Sequence, residues 1–491
     1  MARQKTLPKN LVEWQEIARD RAAKAGLDFF EVTFEMVDYN EINELAALGG
    51  FPTRYPHWRF GMEFDRLSKS YTHGLSKIYE MVINNDPCYA YLLSSNTEME
   101  QKLVMAHVYG HSDFFKNNHS FGHTNRRMLD QMANHSVRIR QIQERHGVER
   151  VESFIDQCLS LDNLIDFRAL PRRKPEVLTD DSAPQVQKIQ TKSYLDKFVN
   201  TPQFMAQEQA KLDAERVRNQ SFPSEPERDV LLFLLENAPL ESWQQECLAI
   251  VRDEALYFAP QGQTKIMNEG WASYWHVKLM TEHMLCDHEV FDFADTHSGT
   301  VATPPGGFNP YKVGLELFLD IEDRWNKGQF GKDWDECDDF AVKSQWNKNL
   351  GLGLKKIFEV RKLYNDLTFI DEFFTEDFCR KNKFFTFAYN ERTEQTEIAS
   401  LEFAKVKAQL LRQLTNFGQP LIEITDANYQ NRGELFLTHR FDGKELRPDY
   451  CEATLKNLCS LWGRPAHLLT EVQGRWIHLS FDGQNYNRKD A

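Results

Sequence analysis

At 491 residues the chain exceeds what a single hydrophobic core usually supports, so two or more domains are expected. Apolar residues make up 41% and aromatic residues 12%, enough for real cores. The net charge of −14 argues against general nucleic-acid binding, which needs a basic face to release counterions.

The first residues, MARQKTLPKN, are basic but lead into no apolar signal segment. No apolar run approaches the roughly 18–20 residues of a membrane span. Eight scattered cysteines (Cys88, Cys158, Cys247, Cys286, Cys337, Cys379, Cys451, Cys459) form no C-x-x-C pair and read as free thiols in a reducing compartment. A cytoplasmic location is therefore expected.

A helix is expected over 10–25, where Leu11, Trp14, Ile17 and Ala18 recur at helical spacing, and a short strand over 29–34. The run GGFPTRYPHWRFGMEFDRL places Pro52, Pro56, His57, Trp58 and Arg59 in a loop before a helix over 62–71. Such residues on a loop suit either binding or packing onto the domain. A strand over 79–83 leads to the helix 103–118, LVMAHVYGHSDFFKNN.

His107 and His111 lie four apart there, one above the other on a helical face. Two neutral imidazoles held that way are half of a divalent-metal site; the alternative is a pair of hydrogen-bonded core histidines. His119 and His123 repeat the spacing, but Ser120-Phe121-Gly122 between them reads as a loop.

Residues 124–168 are charged and amphipathic, and 169–226 read as a polar linker or arm. Two packed helices separated by Ala238-Pro239 follow from Asp229. In MNEGWASYWHVKLMTEHMLCDH, Glu269 and His276 are two helical turns apart among aromatic residues, where desolvation favours ligation or catalysis. Glu269 could equally pair with a buried cation. A Gly/Pro-rich loop then feeds a helix from 310, with Tyr311, Lys312 and Gly314 in its first turn; an anion could bind there, although no phosphate fingerprint is present.

The pattern changes at 383. Strands over 384–389, 421–425, 434–440, 467–472 and 476–481 alternate with helices over 400–415 and 449–461. The order βαββαββ suggests a ferredoxin-like module with an added strand, regulatory or partner-binding in role. The expected fold class is α+β, a large mainly helical domain followed by this small one. Its divisions are 1–168, the arm 169–228, 229–382 packing with 1–168, and 383–491.

The motifs YPHWRFGMEFDRL, INNDPCYAYL, LVMAHVYGHSDFFKNN, PSEPERDVLLFLLENAPLESWQ, MNEGWASYWH and GFNPYKVGLELFLDIE, in this order, resemble the stage V sporulation protein R family from about residue 50 onward. The resemblance implies a cytoplasmic protein needed in spore formers for assembly of the cortex peptidoglycan. In other bacteria it implies a stress-response setting beside a PrkA-type serine kinase and a von Willebrand A-like partner. It implies no reaction.

H-x-x-x-H, a later N-E-G-W-A and then Y-K-x-G look, more distantly, like a gluzincin-type zinc peptidase, hence a zincin-like domain. That resemblance implies His107, His111 and Glu269 as zinc ligands, Tyr311 and Lys312 near the substrate, and His276 steadying an oxyanion. Val108 stands where the family has its general-base Glu, a loss commonly worth about 10²–10⁴-fold. Asp113, His119 and His123 are the nearby substitutes. Two functions follow: a metal-dependent hydrolase acting on a peptide or peptidoglycan-precursor bond, or a non-catalytic scaffold that binds a kinase. A di-iron protein fits less well, since no matched Glu-x-x-His pair accompanies His107 or Glu269.

Overall fold

The computed structural model describes residues 7–72, 79–168, 189–190, 196–220, 222–303, 308–384, 386–390, 395–400 and 402–491. The expected arm thus lies partly outside the described residues; within it a helix runs Pro202–Gln220. The chain divides into two compact units, Met1–Val148 with Tyr257–Gly418, and Glu149–Leu256 with Gln419–Ala491. The fold is α+β and mostly helical.

The first unit opens with α1 (Lys9–Lys24) and a three-stranded sheet of β1 (Val32–Val37), β2 (Glu80–Ile83) and β3 (Cys88–Leu93). Its order is β1-β3-β2, with β1 parallel and β2 antiparallel to the central strand. β1 begins three residues later than its hydrophobic run suggests. Helix α2 (Glu98–Asn117) starts at a capping box in which Thr97 and Glu100 satisfy each other's backbone N–H groups. It is buried almost throughout, from Met99 to Phe115.

Helix α3 (Lys265–Leu279) packs between α2 and, after α4 (Val290–Val301), α5 (Pro310–Lys327). Asn309 caps α5, and Pro310 fills its first position, where no N–H is needed. Two further helices, α6 (Gly353–Leu363) and α7 (Asp366–Phe373), close the unit. Asp366 accepts hydrogen bonds from the N–H groups of Ile266 (2.8 Å) and Met267 (2.9 Å), so α7 supplies the cap that α3 lacks in its own sequence. One continuous core joins Val104, Trp271, Phe318, Ile357 and Phe369.

A separate hairpin pairs Thr386–Asn390 with Gln395–Ser400. Helix α8 (Phe403–Leu414) buries Val406 and Leu410 in the same core as Phe369.

In the second unit a five-stranded sheet contains β4 (Ile422–Tyr429), β5 (Glu434–His439), β6 (Ala466–Val472), β7 (Arg475–Phe481) and β8 (Tyr486–Asp490). Its order is β8-β7-β6-β5-β4. Only β5 and β6 run parallel, joined through α9 (Pro448–Trp462); the remaining pairs are antiparallel. Gln473 and Gly474 both have positive φ, the two-residue turn whose twist suits a hairpin.

The ferredoxin-like expectation therefore needs correction. The strand expected at 384–389 pairs in the separate hairpin, and the helix expected at 400–415 joins the first unit. Its apolar stripe at Val406 and Leu410 finds partners there, leaving the sheet one crossover helix instead of two.

Candidate metal centre

Two helices bring three side chains together. His107 and His111 project from one face of α2, and Glu269 from the first turns of α3. Their ligating atoms all lie within 4.8 Å of one another. The Nε2 atoms of His107 and His111 stand 3.6 Å and 3.5 Å from the same oxygen, Glu269 Oε2. Donors on a tetrahedral zinc are separated by about 3.3 Å, so the three atoms need little adjustment to share one ion.

The hydrogen bonds behind the rings decide what faces inward. His111 Nδ1 is 2.9 Å from Asn268 Oδ1, an acceptor, so Nδ1 carries the proton and Nε2 presents its lone pair to Glu269. His107 Nδ1 meets His276 Nδ1 at 2.9 Å, and His276 Nε2 meets His297 Nδ1 at 3.2 Å. If each ring donates outward along this chain, His107 Nε2 is also a free acceptor. Three lone-pair groups then face one another. Glu269 Oε2 is buried and has no hydrogen-bond partner. That arrangement is costly without a cation.

Burial drives His111 down to about 4, helped by His107, and it holds His276 well below the usual imidazole range. Both rings are neutral at pH 7. Burial disfavours the Glu269 carboxylate, and the Tyr311 phenol favours it. Two imidazoles and one carboxylate are a donor set that fits zinc with an open fourth position.

Close packing sets the spacing. A Cβ on Gly110, between the two histidines, would lie 2.7 Å from Ala272 Cα, and one on Gly270, beside Glu269, 2.4 Å from Gly314 Cα. Glycine in a helix interior costs about 1 kcal/mol relative to alanine. Here it lets α2, α3 and α5 approach closely enough for the trio to meet.

A cavity of about 270 Å³ adjoins His107. Glu80, His276, Thr296, Thr300 and Tyr311 line it, whereas Lys312 does not. The Tyr311 ring stacks over His107 with centroids 6.2 Å apart, and burial holds its phenol protonated.

The structure does not bring Asp113 to the trio. Two residues beyond His111, it points to the far side of α2 and accepts from Trp271 Nε1 and the Asp28 N–H, both at 2.8 Å, with Arg361 Nε at 3.4 Å. His119 and His123 are exposed on the short helix after α2 and its turn, apart from the trio. Glu80, Asn268 and His297 escaped the sequence reading. Asn268 alone had a local signal, adjacency to Glu269.

Fold and site together define an α+β protein whose helical unit carries a His-His-Glu trio, its histidines buried and its glutamate half-buried, beside a cavity. The family model described as SpoVR like protein matches residues 5–419, and that described as SpoVR-like C-terminal domain matches 420–473. The chain belongs to the SpoVR family. The border between the two matches falls one residue from the Gly418/Gln419 border between the compact units. It is also 33% identical over 481 residues to the uncharacterized protein YcgB of Escherichia coli (strain K12), covering 90% of this chain and 88% of that relative. No solved structure matches the chain. Among the described residues no helix is long and apolar enough to cross a membrane.

Proposed function

We propose that the helical unit is a zincin-like, zinc-dependent hydrolase core, with His107, His111 and Glu269 as ligands, acting on a peptide or peptidoglycan-precursor bond. The observation that carries this reading is the convergence of two imidazole Nε2 atoms on a partnerless, buried Glu269 oxygen beside a cavity. Zinc held there would acidify a water to near-neutral pKa and polarise a carbonyl.

The chain's own groups supply the rest. Asn268 and His276 fix the tautomers of the two imidazoles. Tyr311, protonated at the cavity wall, donates to developing negative charge on the substrate. His276 has both nitrogens engaged by other histidines, so it supports His107 and leaves the oxyanion to Tyr311. The setting proposed with this activity is cytoplasmic, in cortex assembly or stress response, as the family resemblance suggests.

Metal content of the purified chain, by plasma mass spectrometry after chelator-free zinc loading, tests the reading. One zinc per chain, lost in His107→Ala and in Glu269→Ala, is expected. A metal-free wild type would overturn it.

A second reading, a non-catalytic scaffold for a PrkA-type serine kinase, draws on Val108. This residue is fully buried in the apolar core, so the usual general-base position does not face the cavity. Kinase affinity measured with purified partners, equal for the wild type and His107→Ala, is the outcome this reading expects.

A further inference from the structure

We infer that Glu80, on the edge strand β2, is the proton acceptor that stands in for the base missing at Val108. The inference rests on the zinc-hydrolase reading above.

The argument starts from the cavity wall. The carboxylates among its lining residues are Glu80 and Glu100. Glu100 is spoken for, because its Oε2 accepts the Thr97 N–H at 2.7 Å in the cap of α2. Glu80 is different. It is half-buried, and its carboxylate has no hydrogen bond or ion pair among the described residues. Its carboxyl therefore borders the cavity beside His107 and Tyr311, open to meet a ligand or water there.

Position agrees with this role. Glu80 is paired opposite Leu92 of the central strand, which fixes its backbone, while its side chain reaches the same cavity as His107 and Tyr311. It lies close enough that His107 and Glu269 both act on it electrostatically. Burial, with the Glu269 charge, raises its pKa above the ordinary carboxyl value. A raised carboxyl is better matched to accepting and returning a proton near neutral pH.

The step is a hydrolysis. An O–H bond of the attacking water breaks and its proton passes to a Glu80 oxygen, while the water oxygen bonds to the substrate carbonyl carbon. Glu80 then returns the proton to the leaving nitrogen as the C–N bond breaks, giving a carboxylic acid and an amine. Neither oxidant nor reductant is consumed.

The test uses the full chain loaded with cobalt(II), a spectroscopic stand-in for zinc, and needs no substrate. Visible spectra are recorded from pH 5 to 9 for wild type, Glu80→Gln, Glu80→Asp and His107→Ala. Glu80→Gln is expected to bind cobalt stoichiometrically with affinity within about threefold of wild type, yet to shift the midpoint of the pH-dependent spectral change by about one unit. Glu80→Asp should fall between them. An unchanged midpoint overturns the role of Glu80 and leaves the zinc reading standing. Loss of cobalt in Glu80→Gln makes Glu80 a ligand and also overturns it. A wild type that binds no cobalt overturns both readings.

Discussion

Gly110 meets Ala272 so closely that a Cβ on the glycine would sit 2.7 Å from the alanine Cα. The contact joins α2 to α3 between His107 and His111, next to His111, so the packing and the site share one constraint. Replacing Gly110 by alanine should gain about 1 kcal/mol of helix propensity and lose more to overpacking, for a net destabilisation of about 1–2 kcal/mol. Gly299→Ala is the control, since nothing lies within 4 Å of its added Cβ. Thermal unfolding should show a lower midpoint for Gly110→Ala and an equal or higher one for Gly299→Ala. Equal midpoints for Gly110→Ala and wild type would mean that the helices can separate without penalty.

Asp366 holds the start of α3 from another helix. Asp366 is 1% exposed, burial pushes its carboxyl up to about 8, and its two oxygens accept the Ile266 and Met267 N–H groups. Asp366→Ala leaves both donors buried and unsatisfied, at a cost of about 1–3 kcal/mol each. Asp366→Asn keeps one carbonyl acceptor and should lose less. Urea unfolding at pH 7 gives the order wild type, Asn, Ala; an alanine variant as stable as wild type would show that water reaches the helix end.

These contacts mark what a linear sequence can and cannot convey. His107 and His111 were legible because a helix turns four residues into one face, and Glu269 because its motif sits on a second apolar helix. Nothing near Glu80 distinguishes it from any strand residue. Its importance comes from β2 bordering the cavity. Asp366 is 100 residues from the N–H groups it caps, and His297 reaches His276 from a different helix. In the second unit β4 to β7 were legible from alternation and the Gln473-Gly474 turn, whereas β8, polar and mostly exposed, carried no such signal. Helix α8 was assigned to the wrong layer, because an apolar stripe records that a face is buried and not against what.

Acid should weaken the metal-free chain through the buried histidines. Burial lowers the folded pKa of His111 from 6.5 to about 4. Between those values the unfolded chain binds the proton and the folded chain does not, so stability is full above pH 6.5 and falls as pH drops toward 4. From pH 7 to pH 5 this one group accounts for about 2 kcal/mol, at 1.36 kcal/mol per unit. His276 is shifted the same way and adds to the loss. Denaturant unfolding at the two pH values, with chelator present, should show a smaller loss for His111→Asn than for wild type. Identical losses would show that His111 is solvated in the folded chain.

Asn268 sits behind His111 as the acceptor for its Nδ1 proton, 2.9 Å away. On the zinc reading its work is to keep Nε2 unprotonated and the ring aimed at Glu269. Outer partners of this kind are typically worth 10–100-fold in metal affinity. Asn268→Ala should therefore bind one zinc per chain about tenfold or more weakly in competition with a chromophoric chelator. Asn268→Asp, which keeps an oxygen acceptor and adds negative charge beside the ring, should bind at least as tightly as wild type. The comparison separates orientation from bulk packing, because the two variants remove and retain the acceptor at one position. Equal affinity in Asn268→Ala and wild type would mean that the ring is held by its neighbours, including the Phe115 ring stacked 6.0 Å away, and not by the hydrogen bond.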